Sequence, residues 1–479
     1  MQFVSVEFIV FFGGVFLGFH LAPLAFRKYY LLFVSYVFYA MWSLPYAVLL
    51  LAMTGLAYLA ARQIEAASNE KGKSRRVRGA VLLFVLTLCF FKYLEPCLYA
   101  LGESIPRLQG VFSPAIMRIA VPVGISYYLF KIISYVVDVY WEKAPAEKDF
   151  AAFAVYVAFF PQILSGPIQR AVSFLPQIKT PLPVSYDTLL SGMRLLLFGF
   201  FKKLVIADRL AIFVDGVYGN PASFNSLTLL WACYAYVFQL YADFSGLTDI
   251  ARGSAKLFGI DSPKNFDLPF FAPNIQQYWR RWHMTLTQWL GDYVFNPLRM
   301  ALRDHGQTGL ALALMINMVL IGIWHGARTT FLAFGIIHGI YLIVSVMTSK
   351  GREIFFKKHP ALASIRKIGA PLGVFHLVAF AMIFFRAETL EQAWAMIRNI
   401  AVLNFSMASS AFFGKKDIVI VGLGILFMEA IHFLQSRAKI QKIFQGTFPI
   451  FRWAAYYALT GAILALGQFS TKDFIYFKF

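Results

Sequence analysis

The sequence predicts an all-α polytopic membrane protein, and three observations carry that prediction. Of its 479 residues, 59% are hydrophobic and 14% charged, with a mean hydropathy of +0.63, which is more apolar than an ordinary soluble chain. Apolar stretches close to the ~20 residues that a helix needs to cross hydrocarbon recur along most of its length. Basic residues fall between these stretches, as in "RQIEAASNEKGKSRRVRG" (62–79), "SKGREIFFKKHPALASIRK" (349–367) and "SRAKIQKIFQGTFPIFR" (436–452). The formal net charge of +20 therefore reads as topology, with Lys and Arg holding loops on the cytoplasmic side, and not as a nucleic-acid surface.

Taken in order, the candidate spans lie at about 3–22, 29–44, 45–61, 79–94, 119–141, 189–214, 227–250, 308–325, 329–348, 370–386, 416–436 and 451–469, roughly a dozen. The first lacks a basic leader and a small-residue cleavage site, so it is expected to be a retained span and not a cleaved signal. This threading puts the three basic linkers and 251–307 on one side and both termini outside. Two segments do not fit a simple crossing. "FAAFAVYVAFFPQILSGPIQR" (150–170) carries Pro161, Gly166 and Pro167 and is expected to be re-entrant. Segment 265–298 is aromatic but too charged to cross, and is expected to lie in the cytoplasmic interface. Residues 1–479 are expected to form one integral membrane domain, with N-terminal helices at 1–118, a core at 119–348 and C-terminal helices at 349–479. Cys89, Cys97 and Cys233 have no metal-ligand spacing, so neither a metal nor a disulfide framework is expected.

Histidine is expensive in a bilayer, so its placement is informative. His325, in "LIGIWHGARTT", ends a span beside Trp324, with Gly322 one turn earlier. The small residues let a neighbouring backbone or a thin substrate approach, and the indole walls the ring from water. The alternative is a helix-packing site with a satisfied histidine. His283 lies in "WRRWHMTLTQWLGDYVFNPL" (279–298); on a helix through 276–289 it shares a face with Gln276, Trp279, Arg280 and Thr287, while Arg281 points elsewhere. An interfacial aromatic belt is the competing reading. His338, inside a span, is expected to hydrogen-bond another helix, with function as the alternative. Asp243 and Asp249 are expected to pair structurally with Arg280 or Arg281, or to orient a histidine. The two arginines suit either coenzyme phosphates or lipid headgroups. Ser165, beside Gly166 and Pro167, shapes a turn. By topology, His325 approaches the outer face and His283 enters from the cytoplasmic one, so both imidazoles can meet a common passage.

Four blocks, "FFPQILSGPIQRAVSFLPQI" (159–178), "FQLYADFSGLTDIARGSAKLFGIDSPKNFDLPF" (238–270), "YWRRWHMTLTQWLGDYVFNPL" (278–298) and "GIWHGARTTFLAFGIIHGIYL" (322–342), resemble in order the signature blocks of the membrane-bound O-acyltransferase family. "VGISYYLFKIISYVVDVY" (123–140), "FFRAETLEQAW" (384–394) and the terminal "FIYFKF" resemble its bacterial AlgI-like branch, and the likeness covers nearly the whole chain. The resemblance implies a ring of helices, thin at its centre, with a tunnel from a cytosolic acyl donor to an external acceptor. It implies that His325 is catalytic and that His283 is the second site residue; beside them, Trp279, Arg280, Arg281, Trp282, Trp324, Asp243, Asp249, Ser165, His338 and Tyr476 are candidate substrate contacts on the reading of the residues themselves. It further implies acetylation of an exported polysaccharide such as alginate, cellulose or peptidoglycan, completed by an extracytoplasmic SGNH-type partner, in a bacterial inner membrane. The chain has no G-x-S-x-G block of its own.

The chemistry expected is attack of a hydroxyl on an acyl thioester, acetyl-CoA or another, with His325 as general base and no permanently bound cofactor. A covalent acyl-histidine, or relay through Tyr476, is the alternative. D-alanyl transfer to teichoic acid is a rival within the class. A transporter or flippase for a lipid-linked sugar and a structural scaffold are rivals outside it.

Overall fold

The structure, a computed structural model, describes residues 3–105, 120–180, 184–404, 414–436 and 447–469. Among the described residues there is no strand. The helices are α1 (Val6–Leu21), α2 (Leu24–Ala40), α3 (Leu44–Glu65), α4 (Glu70–Ser104), α5 (Ile125–Tyr140), α6 (Phe150–Ala158), α7 (Phe160–Ile163), α8 (Ala171–Lys179), α9 (Tyr186–Phe200), α10 (Asp208–Gly219), α11 (Ser226–Leu257), α12 (Ile275–Trp279), α13 (Met284–Leu290), α14 (Asn296–Ala301), α15 (Gly306–His325), α16 (Thr329–Met347), α17 (Ser349–Lys358), α18 (Pro360–Arg386), α19 (Leu390–Ala401), α20 (Lys415–Ser436) and α21 (Pro449–Leu466). Among the described residues six helical stretches, 44–65, 70–102, 303–325, 329–347, 360–386 and 415–436, are long and apolar enough to cross a membrane, while 6–21 and 150–163 are shorter apolar helices. The protein is thus an all-α, multi-pass membrane protein. The dozen expected spans include stretches, such as 29–44 and 119–141, whose helices fall short of full membrane length.

Lipid explains how these helices use their apolar residues. In water, a helix turns its hydrophobic stripe inward. In the apolar window of α4 only 6% of residues are buried inside the protein, and Leu82, Leu86 and Phe90 point outward. Hydrocarbon accepts those side chains, so helix association must come from close packing and polar pairs.

The chain divides into two compact units. The first comprises 1–196 and 250–263. Rings of Phe8, Phe11, Phe12, Phe38, Phe160 and Phe258 pack within it, mostly tilted or edge-to-face, as the ring quadrupole favours. The apolar 150–170 stretch is broken at Phe159 between α6 and α7 and is buried almost throughout. Non-helical backbone at membrane depth is tolerated only when protein surrounds it. Lys131, buried on α5, donates to the Tyr156 carbonyl at 3.0 Å and to Gln162 Oε1 at 2.8 Å, and Gln162 Nε2 donates to Gln169 Oε1 at 2.6 Å and Ser262 Oγ at 2.8 Å.

The second unit comprises 197–249 and 264–479. Its backbone winds into a π-helix at Phe201–Ala207, between α9 and α10. This widened turn buries Lys202 and Lys203 side by side. Lys203 Nζ sits 2.8 Å from Asp208 and 2.9 Å from Asp243, and Lys202 Nζ sits 2.6 Å from Asp249 and 3.0 Å from Ser245 Oγ. The expected pairing of Asp243 and Asp249 with Arg280 or Arg281 is therefore corrected. Lysines of the π segment, some forty residues earlier in the chain, take both carboxylates because α11 lies against that segment, with Gly246 so close that an added Cβ would stand 2.9 Å from the Gly199 carbonyl.

α15 and α16 form a hairpin without a side-chain layer at its closest point. A Cβ on Gly335 would lie 2.6 Å from the Met318 carbonyl, and one on Gly322 would overlap the carbonyl oxygen of Phe331. The space beside Gly322 is thus filled by neighbouring backbone, the first of the two uses expected of it. Gly322→Leu should therefore lower the stability of the purified protein by about 1–3 kcal/mol or more, read as a lost monodisperse peak after mild heating. Gly55→Ala, where nothing lies within 4 Å of the added carbon, should leave that peak intact.

Candidate active site

The segment after residue 264 determines where His283 stands. Asn274 caps α12, its Oδ1 accepting from Gln277 N at 2.8 Å. The helix lasts one turn, ends after Trp279, and restarts only at Met284. The continuous helix expected through 276–289 is therefore corrected. His283 occupies the break with φ 44° and ψ 53°, the left-handed region, at a cost of about 1 kcal/mol or more for a residue with a Cβ. The face that a continuous helix would give it with Gln276, Arg280 and Thr287 does not exist. Instead the His283 ring stands edge-on to Phe244 at 4.7 Å and to Trp324 at 5.9 Å between centroids.

His283 is 2% exposed, and neither ring nitrogen has a hydrogen-bond partner among the described residues. Burial pushes this imidazole down to about 3. It is therefore neutral at physiological pH, with one nitrogen able to donate and the other to accept.

His325 is the last residue of α15 and is 5% exposed. Its ring lies 4.8 Å from Trp324, 4.6 Å from Phe385, 6.0 Å from Phe331 and 6.1 Å from Phe334. The glycine contacts between α15 and α16 fix this residue at the hairpin's turn. Both histidines therefore contact the same indole, His283 and His325 each edge-on to Trp324.

His338 lies one helical turn beyond Phe334, with ring centroids 4.6 Å apart. Trp279 Nε1 donates to His338 Nδ1 at 3.2 Å. An indole N–H can only donate, so His338 Nδ1 is the acceptor and the neutral ring carries its proton on Nε2. That nitrogen is buried and has no partner among the described residues.

Of the residues predicted from sequence, His283, His325, His338, Trp279, Trp282 and Trp324 come together through ring contacts in the second unit. Trp282 stacks on Tyr278 at 5.6 Å and meets Phe266 edge-on at 5.1 Å. Arg280 is exposed and Arg281 half-buried, its backbone oxygen accepting from Asp267 N. Asp243 and Asp249 belong to the lysine pairs. Ser165 lies in the first unit, its buried Oγ without a partner among the described residues. Tyr476 lies outside the described residues. Among the described residues no group of three or more His, Cys, Asp or Glu could hold a metal ion. Sequence reasoning passed over Lys202, Lys203 and Asn265. Two lysines inside "LLLFGFFKKLVIADRL" (195–210) were the available signal, since charges within an apolar run are costly unless paired.

A profile described as "MBOAT, membrane-bound O-acyltransferase family" matches residues 141–385, a span holding all three clustered histidines. The chain is similar to "Probable alginate O-acetylase AlgI" of Azotobacter vinelandii, 34% identical over 399 residues that cover 83% of this chain and 77% of that one. It is similar to "Peptidoglycan O-acetyltransferase" of Helicobacter pylori, 31% identical over 409 residues, 79% of this chain and 74% of that one. It is also similar to "Teichoic acid D-alanyltransferase" of Bacillus subtilis, 30% identical over 283 residues, 55% and 68% of the two chains.

A pH measurement tests the buried state of His283. Its folded ring stays unprotonated down to about 3, whereas the unfolded ring takes a proton near 6.5. Between those values the unfolded chain holds more protons, so acidification costs stability. His283→Gln should therefore flatten the fall of the thermal midpoint between about pH 6.5 and 4 by one proton's worth. Identical slopes in the two proteins would contradict the buried neutral ring.

Proposed function

The chain belongs to the membrane-bound O-acyltransferase family, and on that premise we propose that it passes an acetyl group from a cytosolic thioester, acetyl-CoA, across the membrane towards hydroxyls of an exported polysaccharide. It is an O-acyltransferase; the donor, the direction and the acceptor are the proposed part. The observation that carries the reading is the pair of buried imidazoles set edge-on to one indole, one of them with both nitrogens unspent. Relatives that acetylate alginate or peptidoglycan support acetyl as the group and a polysaccharide as its destination. The D-alanyltransferase likeness spans 55% of the chain against 83% for an alginate O-acetylase, which favours acetyl over D-alanyl.

In this reading His325 is the general base. A hydroxyl oxygen attacks the thioester carbonyl carbon while His325 takes the hydroxyl proton; the C–S bond then breaks, and the proton passes to the leaving thiolate. The products are an ester and a thiol. A thioester is already activated, so alignment and proton removal supply most of what the protein must add. His283, neutral and uncommitted, can hydrogen-bond the thioester or the developing oxyanion. Trp279, Trp282 and Trp324 wall the rings from water. Arg280 and Arg281 are placed to meet coenzyme phosphates or lipid headgroups. We further propose an extracytoplasmic SGNH-type partner that completes transfer to the polymer, and a bacterial inner membrane as the location.

Purified protein should consume acetyl-CoA, and His325→Ala should lower turnover by about 100-fold or more without loss of the folded peak. Wild-type turnover in that variant would remove His325 from the mechanism. Glycan movement with no ester formed would instead favour a transporter.

A further inference from the structure

The first residue before a helix ordinarily spends its own side chain on capping. A side-chain oxygen at that position accepts from the second or third helical N–H, which otherwise lacks an intrahelical partner. His283 holds this position for α13 and makes no such bond. The bond comes from elsewhere. Asn265, eighteen residues upstream in the same unit, accepts from Met284 N at 2.8 Å through its backbone oxygen. Its side-chain Oδ1 accepts from Thr285 N at 3.2 Å and from Thr285 Oγ1 at 2.6 Å. Asn265 is 1% exposed, and its Nδ2 has no partner among the described residues.

We propose that Asn265 is a positioning residue of the acyl-transfer site, capping α13 in place of His283 so that the left-handed imidazole keeps both nitrogens for substrate. This inference rests on the O-acyltransferase reading above and deepens it. The capping demand of α13 and the chemical demand on His283 fall on one residue. Asn265 separates them by taking the first. Its two bonds to consecutive backbone N–H groups also hold the turn that places His283 at φ 44°. A cap supplied by His283 itself would commit a ring nitrogen to the backbone and rotate the ring away from Trp324.

The test compares purified full-length wild type, Asn265→Ala, Asn265→Asp, Thr285→Val, His283→Ala and the Asn265→Ala/His283→Ala double variant, using acetyl-CoA as the probe. Ring 15N resonances of histidine-labelled protein and thermal midpoints are recorded alongside. Asn265→Ala should lower kcat by about 10- to 100-fold, the range for a misplaced active-site group, with KM little changed. Asn265→Asp keeps the accepting oxygen and should restore most of the turnover. Thr285→Val, which removes the hydroxyl bond to Asn265 and keeps the backbone one, should show a smaller fall in kcat, and this arm decides if Asn265→Ala does not fold. The double variant should be no slower than His283→Ala alone, and Asn265→Ala should shift the His283 ring resonances while leaving those of His338 in place. Wild-type kcat in Asn265→Ala, losses that multiply in the double variant, or losses that track the thermal midpoint and spare the His283 resonances would each overturn the proposal. Failure of the wild type to turn over any acyl thioester would overturn the acyl-transfer reading instead, while the ring resonances would still decide what Asn265 does to His283.

Discussion

Hydrocarbon offers no hydrogen bonds, so each polar group inside this protein must find a partner within the chain or remain unsatisfied at a cost of several kcal/mol. The constraint accounts for most of what the structure does with its charges. Lys203 lies between Asp208 and Asp243, Lys202 reaches Asp249 and Ser245, and Lys131 rests on a carbonyl and a glutamine. Other buried polar atoms also lack a partner among the described residues, Ser165 Oγ, Asn265 Nδ2 and His338 Nε2 included, but at His283, 2% exposed, both ring nitrogens do. Leaving it open makes sense where another molecule supplies the partner.

The same constraint explains the local geometry of the site. A continuous helix through 276–289 would place His283 on a face with exposed Arg280 and require no special backbone. Breaking the helix costs strain at φ 44° and exposes N–H groups at the start of α13, which Asn265 then satisfies. The return is a ring directed at Trp324, where it meets the indole that also contacts His325. At His338, the indole of Trp279 imposes a single tautomer, so this ring is fixed in protonation as well as in place.

Much of the fold is legible in the sequence because its signals are one-dimensional. Apolar run length and the position of basic linkers locate α3, α4, α15, α16, α18 and α20 closely, and Pro161, Gly166 and Pro167 mark the interrupted segment near 159. His325 and His283 were legible because each interrupts an apolar or aromatic stretch beside small or bulky neighbours. The break at 280–283 was not, since "RRWH" has good helical periodicity and no Gly or Pro; the left-handed turn is imposed by Asn265 from eighteen residues away. The pairing of Asp243 and Asp249 with lysines was hidden for a related reason. A π-helix rotates side chains off the 100° step that pattern reading assumes, so Lys202 and Lys203 both reach α11.

The crossing of α15 and α16 has one more consequence. Where two backbones touch with no side chains between them, the smallest mutational step, the gain of a methyl group, is already too large at Gly322 and Gly335. The hairpin that carries His325 is therefore closed to gradual remodelling, and stepwise change beside that residue falls to the exchangeable rings around it. Phe331, Phe334 and Phe385 are the side chains through which the surroundings of the His325 ring can change one carbon at a time while the ring itself stays where it is.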